Sequence, residues 1–268
     1  MTLDNYRTNL TSRNPVQQAE FIGIAASVGD LDAIAFILPF VRHSESEVRV
    51  AAVNALCRIG DLAQIGALED RLYDGSRKVQ VAAVNTLSSL AGPDAEPELV
   101  EKLSRSMVMH NRTSDELPVL KATILSLGRI GGKQSMEALS SLAYQPELAA
   151  TFHPELSASL ARLYVKGPEI FALSALFEIL PQYTDSIPRP EVHRNITWIA
   201  GELGKKGELP TFFRHLAAVE QQAAFLGTAG FLKGKVVSSL RSRMDGLMEP
   251  PLKMRTVASP HAAAKLKA

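Results

Sequence analysis

Val48 to Asp61 reads VRVAAVNALCRIGD, and Val79 to Gly92 reads VQVAAVNTLSSLAG, with the string V-A-A-V-N common to both. One period earlier, Gln17 to Asp30 reads QQAEFIGIAASVGD. Copies that begin at residues 17, 48 and 79 define a period of 31 residues. Self-similarity at a fixed period of this length is the signature of a repeat architecture. A fourth copy, Val119 to Gly132 (VLKATILSLGRIGG), aligns its LGRIG with the LCRIG of Leu56–Gly60. Its interval of 40 residues places an insertion in the polar stretch His110–Glu116. Val192 to Lys205 (VHRNITWIAGELGK) is a further copy, Phe152 to Val165 a degenerate one, and a last, weak one lies near Val219.

Each copy has the spacing of a helix. Numbered from Val48, apolar residues fall at positions one, five, eight, nine and twelve: Val48, Ala52, Ala55, Leu56 and Ile59. Steps of four, three, one and three trace one face of an α-helix. Gly29, Gly60, Gly131 and Gly204 stand where a helix C-cap is expected. Between the copies lie second stretches of helical periodicity: Leu31–Val41, Leu62–Tyr73, Glu96–Met107, Ser135–Ala143, Glu169–Leu180 and Leu209–Val219. Pro93, Pro97, Pro118, Pro154, Pro168 and Pro190 mark helix starts, where a missing N–H costs little. No segment alternates with a period of two. The chain reads as a row of helical hairpins.

The strings SEVRVAAVNALCRIGD and RKVQVAAVNTLSSLAG resemble HEAT repeats, and the 31-residue period resembles the compact HEAT-like subclass of bilin lyases. Val48, Arg49, Ala52, Leu56 and Gly60 carry the resemblance, with Val79, Ala83, Leu87 and Leu90 in the next copy. It is good over Gln17–Gly132 and fair to Lys205. It implies an all-α fold: an α-solenoid, a right-handed superhelix of about six to seven hairpins, whose second helices line a concave surface. It implies no chemistry, because the family is defined by packing residues. A hairpin of this size buries too little apolar surface alone, so neighbours must share one core. Residues 1–248 are therefore expected to form the solenoid, with Met1–Asn14 as a polar cap. Residues 249–268, containing Pro250, Pro251, Pro260 and AAAKLKA, are expected to form a flexible tail.

Composition bounds the function. With 46% hydrophobic residues and Lys+Arg 29 against Asp+Glu 28, the chain is globular and carries a formal charge of +1, which suits no dedicated polyanion binder. The one cysteine, Cys57, forbids an internal disulfide and a cysteine zinc site. The first ten residues lack a basic-then-apolar signal pattern, and no apolar run approaches a membrane span. A cytoplasmic protein is expected.

No motif announces catalysis. His43, His110, His153, His193, His215 and His261 include no pair four apart, and none precedes a Glu. The His-Glu signature of HEAT-like di-iron hydroxylases is thus missing. Gly230–Val236 (GFLKGKV) lacks the first glycine and the hydroxyl residue of a phosphate loop. There is no G-x-S-x-G elbow. Arg58, beside Cys57, points elsewhere on a helix and lends the thiol little. No cofactor and no metal are expected.

What remains is a surface. At ~100° per residue, positions three, seven, ten and fourteen of the first helices face away from the core stripe. They give Val50, Asn54 and Cys57; Val81, Asn85 and Ser88; Lys121, Leu125 and Gly128; and Arg194, Trp198 and Gly201. Position ten is small in every copy (Ala26, Cys57, Ser88, Gly128, Ala161, Gly201), which either lets helices approach or leaves room for a partner. Val50, Val81 and Leu125 are apolar residues expected to face solvent. Asn54 and Asn85 form a candidate amide ladder, and Trp198 with Arg194 a candidate hot spot, unless a slipped register buries the ring. The leading expectation is a non-enzymatic scaffold that binds a partner protein along a concave stripe of Val50, Asn54, Val81, Asn85, Lys121, Leu125, Arg194 and Trp198. The alternatives are a nucleic-acid-binding or base-repair enzyme on a HEAT-like solenoid, and a chromophore-lyase-like subunit.

Overall fold

Apolar residues every three to four positions dictate helices, and helices they are. The computed structural model describes residues 10–11, 14–29, 31–110, 114–179, 190–225, 238 and 242. Among them lie twelve α-helices and no strand. The first helices of the copies are α1 (Pro15–Val28), α3 (Ser46–Ile59), α5 (Arg77–Leu90), α7 (Leu117–Ile130), α9 (Pro146–Lys166) and α11 (Pro190–Lys206). The second helices are α2 (Ile34–Ile37), α4 (Ile65–Glu69), α6 (Glu96–His110), α8 (Lys133–Ala143), α10 (Ile170–Glu178) and α12 (Leu209–Phe225). Both α2 and α4 are single turns flanked by 3₁₀ turns, at Leu31–Ala33 and Leu38–Arg42, and at Leu62–Gln64 and Asp70–Tyr73. The expected cap and tail, and the GFLKGKV segment, lie almost wholly outside the described residues.

The first helices stack in chain order, each on the next, and α6, α8, α10 and α12 make a second row alongside. This is an α-solenoid of six hairpins among the described residues. Val48, Ala52, Ala55, Leu56 and Ile59 are all buried, as the spacing predicts, and so are Val53 and Val84 on the flank of the stripe. The buried face is wider than a single stripe because every inner helix is covered by a neighbour on each side as well as by the second row. The contrast with α1 makes the point. Ile24 and Val28 occupy the positions of Ala55 and Ile59 yet stay exposed, since no earlier first helix among the described residues covers them.

Polar links tie each stacked pair. Arg58 Nη1 donates to Ser27 Oγ at 3.0 Å, joining α3 to α1. Thr86 Oγ1 donates to the Val53 carbonyl at 3.2 Å, joining α5 to α3. Ser88 Oγ donates to Ser126 Oγ at 3.3 Å between α5 and α7. Ser159 Oγ donates to the Ile124 carbonyl at 3.0 Å between α9 and α7, and Asn195 Nδ2 to Ser157 Oγ at 3.0 Å between α11 and α9. Lys166 and Lys206 each reach back to the end of the preceding first helix. Lys166 Nζ donates to the carbonyls of Arg129 and Ile130, and Lys206 Nζ to that of Val165. Cations there satisfy orphan carbonyls and oppose the helix dipole.

The small row at position ten serves this stacking at Gly128. A Cβ there would lie 2.6 Å from Ser159 Cα, so α7 and α9 approach at a separation only glycine permits. Gly201 has nothing within 4 Å of a would-be Cβ, so its smallness serves no such contact.

Two local expectations are corrected, and the expected cap at Gly60 is met in another backbone conformation. Gly204 lies inside α11, and Gly207, at φ +75°, takes the turn after it. Gly60 ends α3 in an extended conformation, whereas Gly29 and Gly131 adopt the left-handed one. Pro154 starts no new helix: α9 runs through it with a kink at Phe152 (φ −112°, ψ 18°), because proline removes a ladder donor and crowds the preceding turn.

Leu56→Ala or Leu87→Ala removes a fully buried side chain and is expected to lower stability by ~2–5 kcal/mol in urea unfolding. Gly128→Ala is expected to destabilise as well, although alanine is the better helix former, because its methyl meets the Ser159 backbone. A neutral or stabilising Gly128→Ala would show that α7 and α9 do not approach this closely.

Candidate partner-binding surfaces

The predicted stripe on the first helices splits in two. Asn54, Asn85, Lys121, Arg194 and Trp198 are exposed, Trp198 at 42%. Val50, Val81 and Leu125 are half-buried rather than solvent-facing, and Val81 packs against the core. The reason is again the stack: neighbouring helices close over the flanks of the stripe and leave only its middle open. The exposed members are partly committed. Arg129 Nη2 donates to Asn85 Oδ1 at 3.3 Å, to Ser88 Oγ at 3.1 Å and to Ser126 Oγ at 2.9 Å. Lys121 Nζ pairs with Glu155 at 3.1 Å. Asn85 is thus held by a guanidinium from the next helix. Trp198 is exposed on α11, so the slipped register that would bury it does not occur. Cys57 is half-buried.

A polar network that the sequence did not suggest runs along the loops between hairpins. Asp74, just before α5, receives Arg49 Nη2 at 2.7 Å and Arg49 Nε at 2.9 Å, Arg71 Nη1 at 3.1 Å and the Ser76 N–H at 2.8 Å. Burial raises its carboxyl, but the Arg49 and Ser76 hydrogen bonds and the charges of Arg49 and Arg71 prevail and hold it below its ordinary value. Gln80 Nε2 donates to the Asp74 carbonyl at 2.6 Å, and its Oε1 accepts from Lys102 Nζ at 2.7 Å. Arg77 pairs with the buried Glu116 at 2.6 Å. Burial pulls the Lys102 ammonium down to about 8; Glu116 opposes this, and Arg77 and Arg105 add to it. A lysine with a lowered pKa is a candidate nucleophile. Lys102, however, is 4% exposed and committed to Gln80, with its Nζ 5.1 Å from the Tyr73 ring centre. The network locks the second, third and fourth hairpins together.

The second row carries an open groove of ≈ 790 Å³, lined by apolar side chains together with Ser104, Ser141, Gln145 and Glu147. Leu103, Met107 and Val108 of α6 form one wall, Leu142 of α8 the other, and Tyr144 and Leu148 close it toward α9. Of its lining, Val108 and Tyr144 are large side chains left exposed, as are Met109, next to Val108 in the chain, and Phe171. Tyr144 and Phe171 form a ring pair, centroids 6.1 Å apart and planes inclined at 32°. A signal was present in the sequence. Met107, Val108 and Met109 are consecutive, and at ~100° per residue three in a row cannot all turn inward.

Residues 7–87 match the HEAT-repeat family. The matched stretch holds the first copies, where the period of 31 is strictest, and stops short of the longer interval before α7. No curated protein sequence matches the chain. Among solved structures, human deoxyhypusine hydroxylase in complex with glycerol is similar at a TM-score of 0.31 and 17% identity, over 89% of this chain and 83% of that one. Beyond the matched stretch, the same stacking of first helices continues to α11. No described helix is long and apolar enough to cross a membrane.

Asp74→Ala strips the partner from Arg49, whose side chain is 14% exposed, and is expected to cost about 3 kcal/mol or more at pH 7. Because the Asp74 pKa is depressed in the folded state, its contribution is present above its ordinary 3.8 and fades as pH falls through the folded value. The urea midpoints of wild type and Asp74→Ala should therefore converge in acid. A gap that does not narrow at any pH below 3.8 would assign the loss to packing instead.

Proposed function

We propose that this protein is a non-enzymatic, cytoplasmic interaction scaffold whose second-helix row receives a segment of a partner protein. The groove between α6 and α8 carries this reading. It is open, and the exposed Val108 and Tyr144 line it, with Phe171 paired to Tyr144; exposed large apolar residues grouped in this way mark interaction sites on soluble proteins. The charge arrangement argues against nucleic acid: among the described residues no Lys or Arg lines the groove, whereas a phosphate backbone requires several. Trp198 and Arg194, exposed on α11, offer a second contact point for a partner that extends around the solenoid.

Two substitutions of exposed groove residues test the reading, Val108→Asp and Tyr144→Ala. Wild type used as bait is expected to retain a stoichiometric protein partner from the source cells, without nucleic-acid or tetrapyrrole absorbance. Each variant should lose that partner while its melting temperature stays within about 2 °C of wild type, as expected for half-exposed positions. Co-purifying nucleic acid would favour a base-repair or other nucleic-acid function. A coloured tetrapyrrole adduct would favour the lyase-like one.

A further inference from the structure

The formal charge of +1 conceals an uneven distribution over the fold. Neither α5 nor α7 contains an Asp or Glu. In α3, α9 and α11 the described carboxylates are ion-paired, Glu47 with Lys78, Glu155 with Lys121 and Glu202 with Lys205, save Glu147, which lines the groove of the second row. Four guanidiniums of the same first helices have no carboxylate. Arg58 donates to the Ser27 hydroxyl, and Arg129 to Asn85, Ser88 and Ser126. Arg162 on α9 and Arg194 on α11 are exposed and make no hydrogen bond or ion pair among the described residues. Hydroxyl and amide acceptors orient a guanidinium without cancelling its charge, so all four are open to an anion. Arg58, Arg129 and Arg162 share position eleven of their copies. Contacts across the stack make that position a ridge: Arg58 meets Ser27, itself at position eleven, and Arg129 meets positions seven and ten of α5. Leu160 and Leu163, at positions nine and twelve, are buried, so the kinked α9 keeps the register. On α11, the next helix along, Trp198 stands exposed one turn after Arg194.

We propose that the first-helix row binds an extended, acidic segment of a partner protein that crosses α7, α9 and α11. Its carboxylates meet Arg129 and Arg162, and it ends against Trp198 and Arg194. Arginine clusters are a recurrent means of holding acidic motifs. The spacing fits an extended chain: packed helices stand about 8–10 Å apart, and a polyproline-type strand of three residues per turn returns a side chain to the same side about every 9 Å. A Glu or Asp at every third residue therefore meets one helix after the next. Nucleic acid is the weaker fit. The ridge is broken at α5, where Ser89 holds position eleven, and so few guanidiniums fall short of the roughly six to ten phosphate contacts of a strong binder. This surface is separate from the groove between α6 and α8, and stands or falls without it.

Trp198 is the only tryptophan of the chain, so its emission reports on this surface. Two Pro/Ala-rich peptides of identical composition and without aromatic residues provide the probe: Glu stands at every third residue in one and in a single block in the other. At low salt the spaced peptide is expected to shift the Trp198 emission and to bind about tenfold more tightly than the blocked one. Arg162→Glu, which breaks no contact among the described residues, should weaken the spaced peptide about tenfold or more. Val108→Asp, in the second-row groove, should leave it unchanged, and circular dichroism melts should show both variants folded. Equal affinities of the two peptides would overturn the extended crossing. An unmoved Trp198 emission, or an affinity indifferent to Arg162→Glu, would overturn the assignment of this surface, and loss of the peptide in Val108→Asp would place it in the groove. Oligothymidylate of equal charge binding more tightly than the spaced peptide would give the surface to nucleic acid instead.

Discussion

The architecture depends on the contact between successive first helices. No hairpin here has an interior of its own: Leu56 and Leu87 are buried because helices before and after them complete the enclosure. In α1, the first helix among the described residues, the equivalent side chains Ile24 and Val28 are exposed. Apolar burial supplies the drive, and the polar links fix the register. The Thr86, Ser159 and Asn195 bonds each join one first helix to its predecessor, and the Gly128–Ser159 crossing sets how near two backbones come. Buried hydroxyls would be costly without partners, so sliding one helix along the next would leave several of them unsatisfied.

Most of the fold was legible because it follows from period and polarity. The repeated V-A-A-V-N string set the unit, and the spacing within it set the buried face. What was not legible depended on neighbours. Val53 and Val84 are core residues off the predicted stripe, buried by the adjacent helix rather than by the second row. Gly204 looked like a cap by its place in the repeat, but α11 runs on to Gly207. Phe152 and Pro154 disguised a first helix as a degenerate copy, because a kink inside α9 shifts its pattern.

The candidate site was read less well. The stripe on the first helices was correctly placed opposite the core, with Asn54 and Trp198 exposed, yet flanking helices half-bury Val50, Val81 and Leu125. Arg129 and Glu155 also engage Asn85 and Lys121. Side-chain pairings of this kind cross from one repeat to another over some 35 to 45 positions and leave no local pattern. The groove on the second row has the opposite character. There α6 and α8 leave Val108 and Tyr144 exposed, and the triplet Met107–Met109 had already supplied more apolar residues than one helix face can hide. One row is cross-linked within the molecule, and the other leaves an open groove.

The claim that neighbouring repeats share one core is tested most directly by hydrogen exchange, read peptide by peptide, in wild type and Leu87→Ala. A shared core predicts faster exchange not only in α5, which carries the substitution, but also in α3 and α7 on either side, with the effect fading toward α11. Acceleration confined to α5, with α3 and α7 unchanged, would contradict the account and show that each hairpin is held by its own contacts.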